Sequence, residues 1–209
     1  MKPSPLLEAQ DLAAARGRAK LFARVGFRLE AGQVLLVRGP NGSGKTTLLR
    51  ILAGLTAAIE GSLAWCGARV GPFDARLRRD VAFLGHASAV KDELTAEENL
   101  RALLTLAGDA APPDILRAGL AAASLEAQRN LPARALSQGQ RRRIGLARLA
   151  SIARPLWILD EPATALDDAA LAWLTHLIGA HIANGGMVVA ATHHPLLQGD
   201  GRVATLTLG

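Results

Sequence analysis

Two kinds of hydrophobic pattern alternate along this chain. Apolar runs at residues 33–37 (Gln33 leading Val-Leu-Leu-Val), 156–159 and 187–191 have the length and content of strands buried on both faces. Helical spacing governs residues 45–53, closed by Gly54, and returns at 95–106, 113–123 and 138–152. After Asp167, the positions Ala170, Trp173, Leu174, Leu177, Ile178 and His181 share one helical face. Shorter strands are expected at 27–29, 62–65, 81–84 and 203–208. Strands at both ends enclose a helical middle, which predicts one α/β domain over residues 1–209 with a helical lobe inserted at about 86–154.

Composition narrows the class. Hydrophobic residues make up 50% and charged residues 20%, which excludes a disordered or collagen-like chain. No apolar run is long enough to span a bilayer. The amino-terminal residues lack the apolar segment of a secretory signal. A lone Cys66 cannot form an internal disulfide; it fits a reducing compartment and is expected in the core. The net charge of +6 is compatible with nucleic acid, an anionic membrane face or an ordinary arginine-rich surface. Seven aromatic residues with no Tyr argue against stacking platforms for single-stranded nucleic acid.

The first chemistry follows the strand at 33–37. Gly39, Pro40, Asn41, Gly42, Ser43, Gly44, Lys45 and Thr46 match G-x-x-x-x-G-K-[ST] in full, with Thr47 continuing into a helix. Glycines let backbone N–H groups close on phosphates, and the helix N-terminus adds its positive end. Lys45 is expected to reach the β- and γ-phosphates, and the Thr46 hydroxyl to bind Mg²⁺. The chain is therefore expected to bind a nucleoside triphosphate. A second strand, at 156–159, delivers Asp160 and Glu161 at its end. The first carboxylate suits Mg²⁺ and the second an attacking water, although capping of the next helix would explain an isolated Asp-Glu equally well.

Upstream, Leu136-Ser-Gln-Gly-Gln140 precedes Arg141, Arg142 and Arg143. Here the chain resembles ABC-transporter ATPases, whose signature is Leu-Ser-Gly-Gly-Gln; Gln138 replaces a glycine. The resemblance implies a P-loop NTPase of ABC type: a RecA-like core, an antiparallel β subdomain and the inserted helical subdomain. It implies that Ser137, Gly139 and Gln140 bind the γ-phosphate held by a second copy of the chain. Thr164-Ala-Leu-Asp167 resembles the loop that couples the two sites of such a dimer. His193 occupies the position of the family's switch histidine, against the γ-phosphate. Lys45, Glu161 and His193 are then the catalytic set, and ATP with Mg²⁺ the cofactors. The arginine run either adds positive potential toward phosphates, permease or lipid, or is a solvated helix face.

Two positions depart from the family pattern. His86 stands where a glutamine is expected, able to touch Mg²⁺ or the attacking water through one ring nitrogen, or simply structural. No aromatic residue precedes the phosphate loop where one stacks on adenine; Arg16, Arg18 and Lys20 are there instead, and an arginine could stack in its place. Leu84-Gly-His86, Lys91-Asp-Glu-Leu-Thr-Ala96 and Pro155-Leu-Trp-Ile-Leu-Asp-Glu-Pro162 resemble the ATP-binding subunits of cytochrome c maturation systems, the haem exporters. That resemblance implies an ATP hydrolase, peripheral on the cytoplasmic face of a bacterial inner membrane. Its implied partners are a permease, further haem-handling membrane subunits and, indirectly, a haem chaperone, with no nucleic acid. The alternative is the ATPase of an exporter for another small substrate. Ribosome-acting relatives carry two cassettes where one is read here, and chromosome-associated relatives place a long coiled coil between phosphate loop and signature, for which the short span between Lys45 and Ser137 leaves no room.

Overall fold

A computed structural model describes residues 6–87, 89–194, 196–197 and 199–209. The expectation for the amino-terminal residues 1–5 lies outside them. Along the chain run β1 (Leu6–Arg16), β2 (Ala19–Glu30), β3 (Val34–Arg38), α1 (Lys45–Leu52), β4 (Glu60–Trp65) and β5 (Ala68–Val70). Next come α2 (Ala75–Asp80), β6 (Val81–Leu84), α3 (Ala96–Leu106), α4 (Pro113–Ala122) and α5 (Gln138–Ala150). The chain ends with β7 (Leu156–Asp160), α6 (Asp168–Ala183), β8 (Met187–Ala191) and β9 (Val203–Thr207). These elements divide into two compact units: residues 1–86, 154–161 and 178–209, and residues 87–153 and 162–177.

The first unit holds both sheets. A five-stranded parallel sheet has the order β6-β7-β8-β3-β9. Every residue of β7 and β8 is buried, as expected of central parallel strands. Because the strands are parallel, their C-terminal ends lie along one edge, where ligands of open α/β sheets bind. A four-stranded antiparallel sheet, β2-β1-β4-β5, supplies the other wall of a core that includes Leu7, Leu29, Leu48, Leu52, Ile158 and Val189.

Several elements were not anticipated. β1 spells Leu-Leu-Glu-Ala-Gln-Asp-Leu-Ala-Ala-Ala-Arg, rich in alanine, a poor strand former. Its register shifts between Ala9 and Leu12, with Asp11 at φ 49°, so the alternation that marks a strand is broken. Of β2 only its last third was expected, and β5 and α2 are too short to leave a pattern. Cys66 is corrected: it is a half-buried turn residue at φ 50°, joined to Gly67 at φ 78° in the two-residue hairpin between β4 and β5.

Trp65 and Trp157 are in the core as expected. The Trp65 indole donates to Asp80 Oδ2 at 2.8 Å. Trp157 stacks on His181, with ring centroids 3.8 Å apart and planes 6° from parallel. Burial pushes the His181 pKa below its ordinary value of 6.5. The unfolded chain therefore binds this proton more readily than the folded one. The fold keeps its full stability above about pH 6.5 and loses some as pH falls below that value. His181→Phe, which retains a stacked ring, is expected to flatten the fall in Tm between about pH 7.5 and about pH 5.5. Thermal melts across that range check it; an unchanged slope would assign the acid sensitivity to other groups.

The second unit is helical. Leu100, Leu104, Leu116, Leu120, Ile144 and Ala147 of α3, α4 and α5 form its core, with Trp173 packed against it. Helix α3 starts with a capping box: Glu98 N–H donates to Thr95 Oγ1 and Thr95 N–H to Glu98 Oε2. Asn99, 1% exposed, holds the preceding loop. Its Oδ1 accepts from Lys91 N–H, and its Nδ2 is within 3.0 Å of the carbonyls of Lys91, Leu94 and Thr95. Removing such a side chain would strand buried backbone groups at about 1–3 kcal/mol each.

Candidate functional site

The phosphate-loop residues connect β3 to α1, and glycine is needed where that loop becomes helix. Gly44, the N-cap of α1, sits at φ 96°, and a Cβ there would lie 2.9 Å from both Leu21 Cβ and Phe22 Cδ1. The loop folds back on its own lysine: Lys45 Nζ donates to Gly39 O at 2.8 Å and to Pro40 O at 3.0 Å. At the second position of the helix, Thr46 Oγ1 donates to Asp160 Oδ2 at 2.8 Å, across 114 residues of sequence. Asp160 is 2% exposed.

β7 and β8 deliver the next groups side by side. Asp160 pairs with Ala191 in the ladder, and Glu161 N–H extends it by donating to Ala191 O at 2.8 Å. That bond holds Glu161 at φ 48°, an uncommon conformation for a non-glycine residue. Its carboxylate reaches His193 from the end of β8, Oε1 to Nε2 at 3.5 Å. Glu161 is largely shielded, with 15% of its side chain exposed, and His193 is open at 65%.

Asn41, Gly42, Gly44, Lys45, Thr46, Thr47, His86, Asp160 and Glu161 line one cavity of about 320 Å³, together with Arg16 and Leu21 from β1 and β2. Its chemistry fits a nucleoside triphosphate. Backbone amides and a lysine face a space also bordered by two carboxylates, and Ser43 Oγ is buried without a hydrogen-bond partner. Thr46 Oγ1 and Asp160 Oδ2 are hard oxygen donors in contact, the kind of set that Mg²⁺ prefers. His86 is exposed on the cavity wall. Leu21 escaped the sequence reading because a leucine in a strand looks like core.

The signature residues lie in the second unit. Ser137 is the N-cap of α5: its Oγ accepts from Gln140 N–H, and Gln140 Oε1 accepts from Ser137 N–H at 2.9 Å. This reciprocal pair explains how the helix starts without the missing glycine. Gln138 occupies the first helical position and is exposed. Gly139 admits no side chain, since a Cβ would lie 2.6 Å from Ala165 O. Ala165 is itself at φ 62°, and Asp167 Oδ1 accepts from Ala170 N–H at the start of α6. A cavity of about 270 Å³ is lined by Ser137, Gln138, Gly139, Gln140 and Arg143 with Ala165, Leu166, Asp167 and Ala170.

The arginine run is not a solvated face. Arg141 pairs with Asp92 at 2.8 Å, and Arg142 is buried with its Nε 3.5 Å from Pro162 O. Arg143 Nη1 donates to Ala123 O at 3.0 Å, satisfying a carbonyl at the end of α4. Sequence showed three adjacent charges; the helix turns them to three different partners. Of the three, Arg143 also borders the signature cavity.

The ABC transporter family model matches residues 22–164. The cytochrome c biogenesis ATP-binding export protein of Cupriavidus pinatubonensis is 45% identical over 202 residues, covering 97% of this chain and 89% of that protein. The protein of the same description from Nitrosomonas europaea is 43% identical over 208 residues, covering 99% of this chain and 98% of its own. Among solved structures, a post-hydrolysis dimer of an ATP-binding cassette with ADP and Pi superposes with TM-score 0.78 at 24% identity, over 90% of this chain and 88% of that one. An ATP-binding subunit of an ABC transporter gives TM-score 0.77 at 26% identity, over 90% and 80%. No helix of the described residues is long and apolar enough to cross a membrane.

Proposed function

Because the chain belongs to the ABC transporter family, among the cytochrome c biogenesis ATP-binding export proteins, we propose that it is the ATP-hydrolysing subunit powering haem handling for cytochrome c maturation. The observation that carries the ATPase reading is the 2.8 Å contact of Thr46 with Asp160, which joins the phosphate loop to the strand that bears Glu161.

The roles follow from position. Backbone amides of the loop from Gly39 to Thr47 cradle the phosphates, with Pro40, Asn41, Gly42, Ser43 and Gly44 shaping the turn. Lys45 leaves its loop carbonyls for the β- and γ-phosphates. Thr46 and Asp160 would hold Mg²⁺, whose chemistry there is neutralisation of phosphate charge. Glu161 orients the attacking water and accepts its proton, and His193, at the same edge, supports the γ-phosphate. His86 faces the same space and can hydrogen-bond the water or a metal-bound one. Ser137, Gly139 and Gln140 present the N-terminus of α5 to the γ-phosphate held by a second copy, so a competent site needs two chains. The docked partner is an integral-membrane permease, with other haem-handling membrane subunits and, indirectly, a haem chaperone. The chain would then sit peripherally on the cytoplasmic face of the bacterial inner membrane.

The test is a haem stain of c-type cytochromes in source cells whose only copy carries Lys45→Ala, with protein level checked by blot. Loss of all haem-stained c-type cytochromes while the variant persists is the expected result. Normal staining would sink the haem assignment and direct attention to an exporter of another small substrate, identified by the permease that co-purifies.

A further inference from the structure

Among the described residues, the buried polar and charged side chains are Asn99, Arg142, Asp160 and Thr192. Asn99 clamps a loop, Arg142 meets Pro162 O and Asp160 accepts from Thr46. Thr192 is left without a part in the site. A hydroxyl taken out of water costs free energy unless it is hydrogen-bonded, and this one is 2% exposed. Its bond lies just past His193: Thr192 Oγ1 accepts from His194 N–H at 3.0 Å.

The place of that bond in the fold gives it a consequence. Ala191, the last residue of β8, is fixed on both sides by Val37 of β3 and Asp160 of β7. The chain then leaves the sheet. By accepting from the N–H two residues on, the Thr192 side chain closes a small ring around His193 and restricts its backbone. A second tight turn follows, Leu196 N–H donating to His194 O at 2.9 Å, with Leu196 2% exposed. His193, its side chain 65% exposed, therefore stands between two buried anchors, with Nε2 3.5 Å from Glu161 Oε1.

We propose that Thr192 is a positioning residue for hydrolysis: its hydroxyl oxygen, by holding His194 N–H, aims the exposed imidazole of His193 at Glu161. The inference rests on the ATPase reading, in which His193 supports the γ-phosphate, and deepens it by naming what aims that ring. Valine has the shape of threonine without the acceptor, whereas serine keeps the acceptor without the methyl. The acceptor, and not the shape, is what His193 needs.

Steady-state phosphate release by the full chain over a range of Mg-ATP tests this. Thr192→Val is expected to lower kcat by roughly tenfold, part of the 10²-fold that a full 1 Å misplacement costs. The KM for ATP should stay within about twofold, because Thr192 takes no part in binding. Thr192→Ser recovers most of the lost rate. Thr192→Ala also lacks the acceptor and gives the same loss as valine, so a folding failure of either replacement leaves the other to be read. Because Thr192 acts through His193, Thr192→Val combined with His193→Ala turns over no more slowly than His193→Ala alone, the residual rate being followed over hours. A wild-type kcat in Thr192→Val would overturn the proposal, as would a loss in Thr192→Ser as deep as that in Thr192→Val. A further tenfold loss in the His193→Ala background would overturn it too, since Thr192 would then act by another route. His193→Ala separates the two levels. If it loses turnover while Thr192→Val does not, the role of the histidine stands and only its aiming by Thr192 falls. If His193→Ala turns over at the wild-type rate, the role given to His193 is itself wrong and the proposal falls with it.

Discussion

Glu161→Gln is expected to retain Mg-ATP and to lose turnover by about 10²–10⁴-fold, the usual contribution of a positioned base. The substitution is nearly isosteric. The backbone bond from residue 161 N–H to Ala191 O does not involve the side chain, so the φ of 48° and the position of the side chain should survive. In the proposed role of Glu161, what disappears is the capacity to take a proton from water beside the γ-phosphate. With hydrolysis blocked and binding intact, the ATP-bound dimer should accumulate. Phosphate release measures the first effect, and size-exclusion chromatography with and without ATP the second. A rate near that of the wild type would remove Glu161 from its assigned role.

Gly139→Ala should reduce turnover by about 100-fold without weakening nucleotide binding by the single chain. The added methyl would meet Ala165 O at 2.6 Å, and neither atom is the end of a flexible side chain. The N-terminus of α5 or the 164–167 loop must shift, and a displacement of about 1 Å of a positioning element costs on the order of 10² in rate. Mixing the two inactive variants gives a sharper test. A mixed dimer of Glu161→Gln and Gly139→Ala copies contains one composite site with both native residues, provided Glu161 and Gly139 act from opposite chains. Turnover should then reappear on mixing. If the mixture stays as inactive as its components, the two residues serve the same chain's site and the head-to-tail pairing is wrong.

Much of this site was legible before any fold was known, and for a physical reason. Phosphate binding needs backbone amides in a tight turn followed by a helix, so residues 39–46 must be contiguous and their spacing shows in the sequence. The buried strands that flank the site were visible for a related reason: β3, β7 and β8 are covered on both faces and leave unbroken apolar runs. The antiparallel sheet was largely invisible, because β1 mixes alanine with a register shift and β5 has three residues. Asn99 was overlooked as a clamp: one polar residue in a helix gives no sign that its partners are four backbone groups of the preceding loop.

Local strings of residues thus carried the chemistry that short segments can perform alone: the phosphate turn, the helix start at Ser137, the acids after a buried strand. Pairings across long stretches of chain needed the fold. Thr46 meets Asp160 because β3 and β7 flank β8 in one parallel sheet, with their C-terminal ends on the same edge. The same edge brings His193 to Glu161, and the hairpin of β1 and β2 puts Arg16, rather than Arg18 or Lys20, on the nucleotide cavity. Strand order and hairpin register are set by the summed burial of many side chains, and no short motif encodes such a sum.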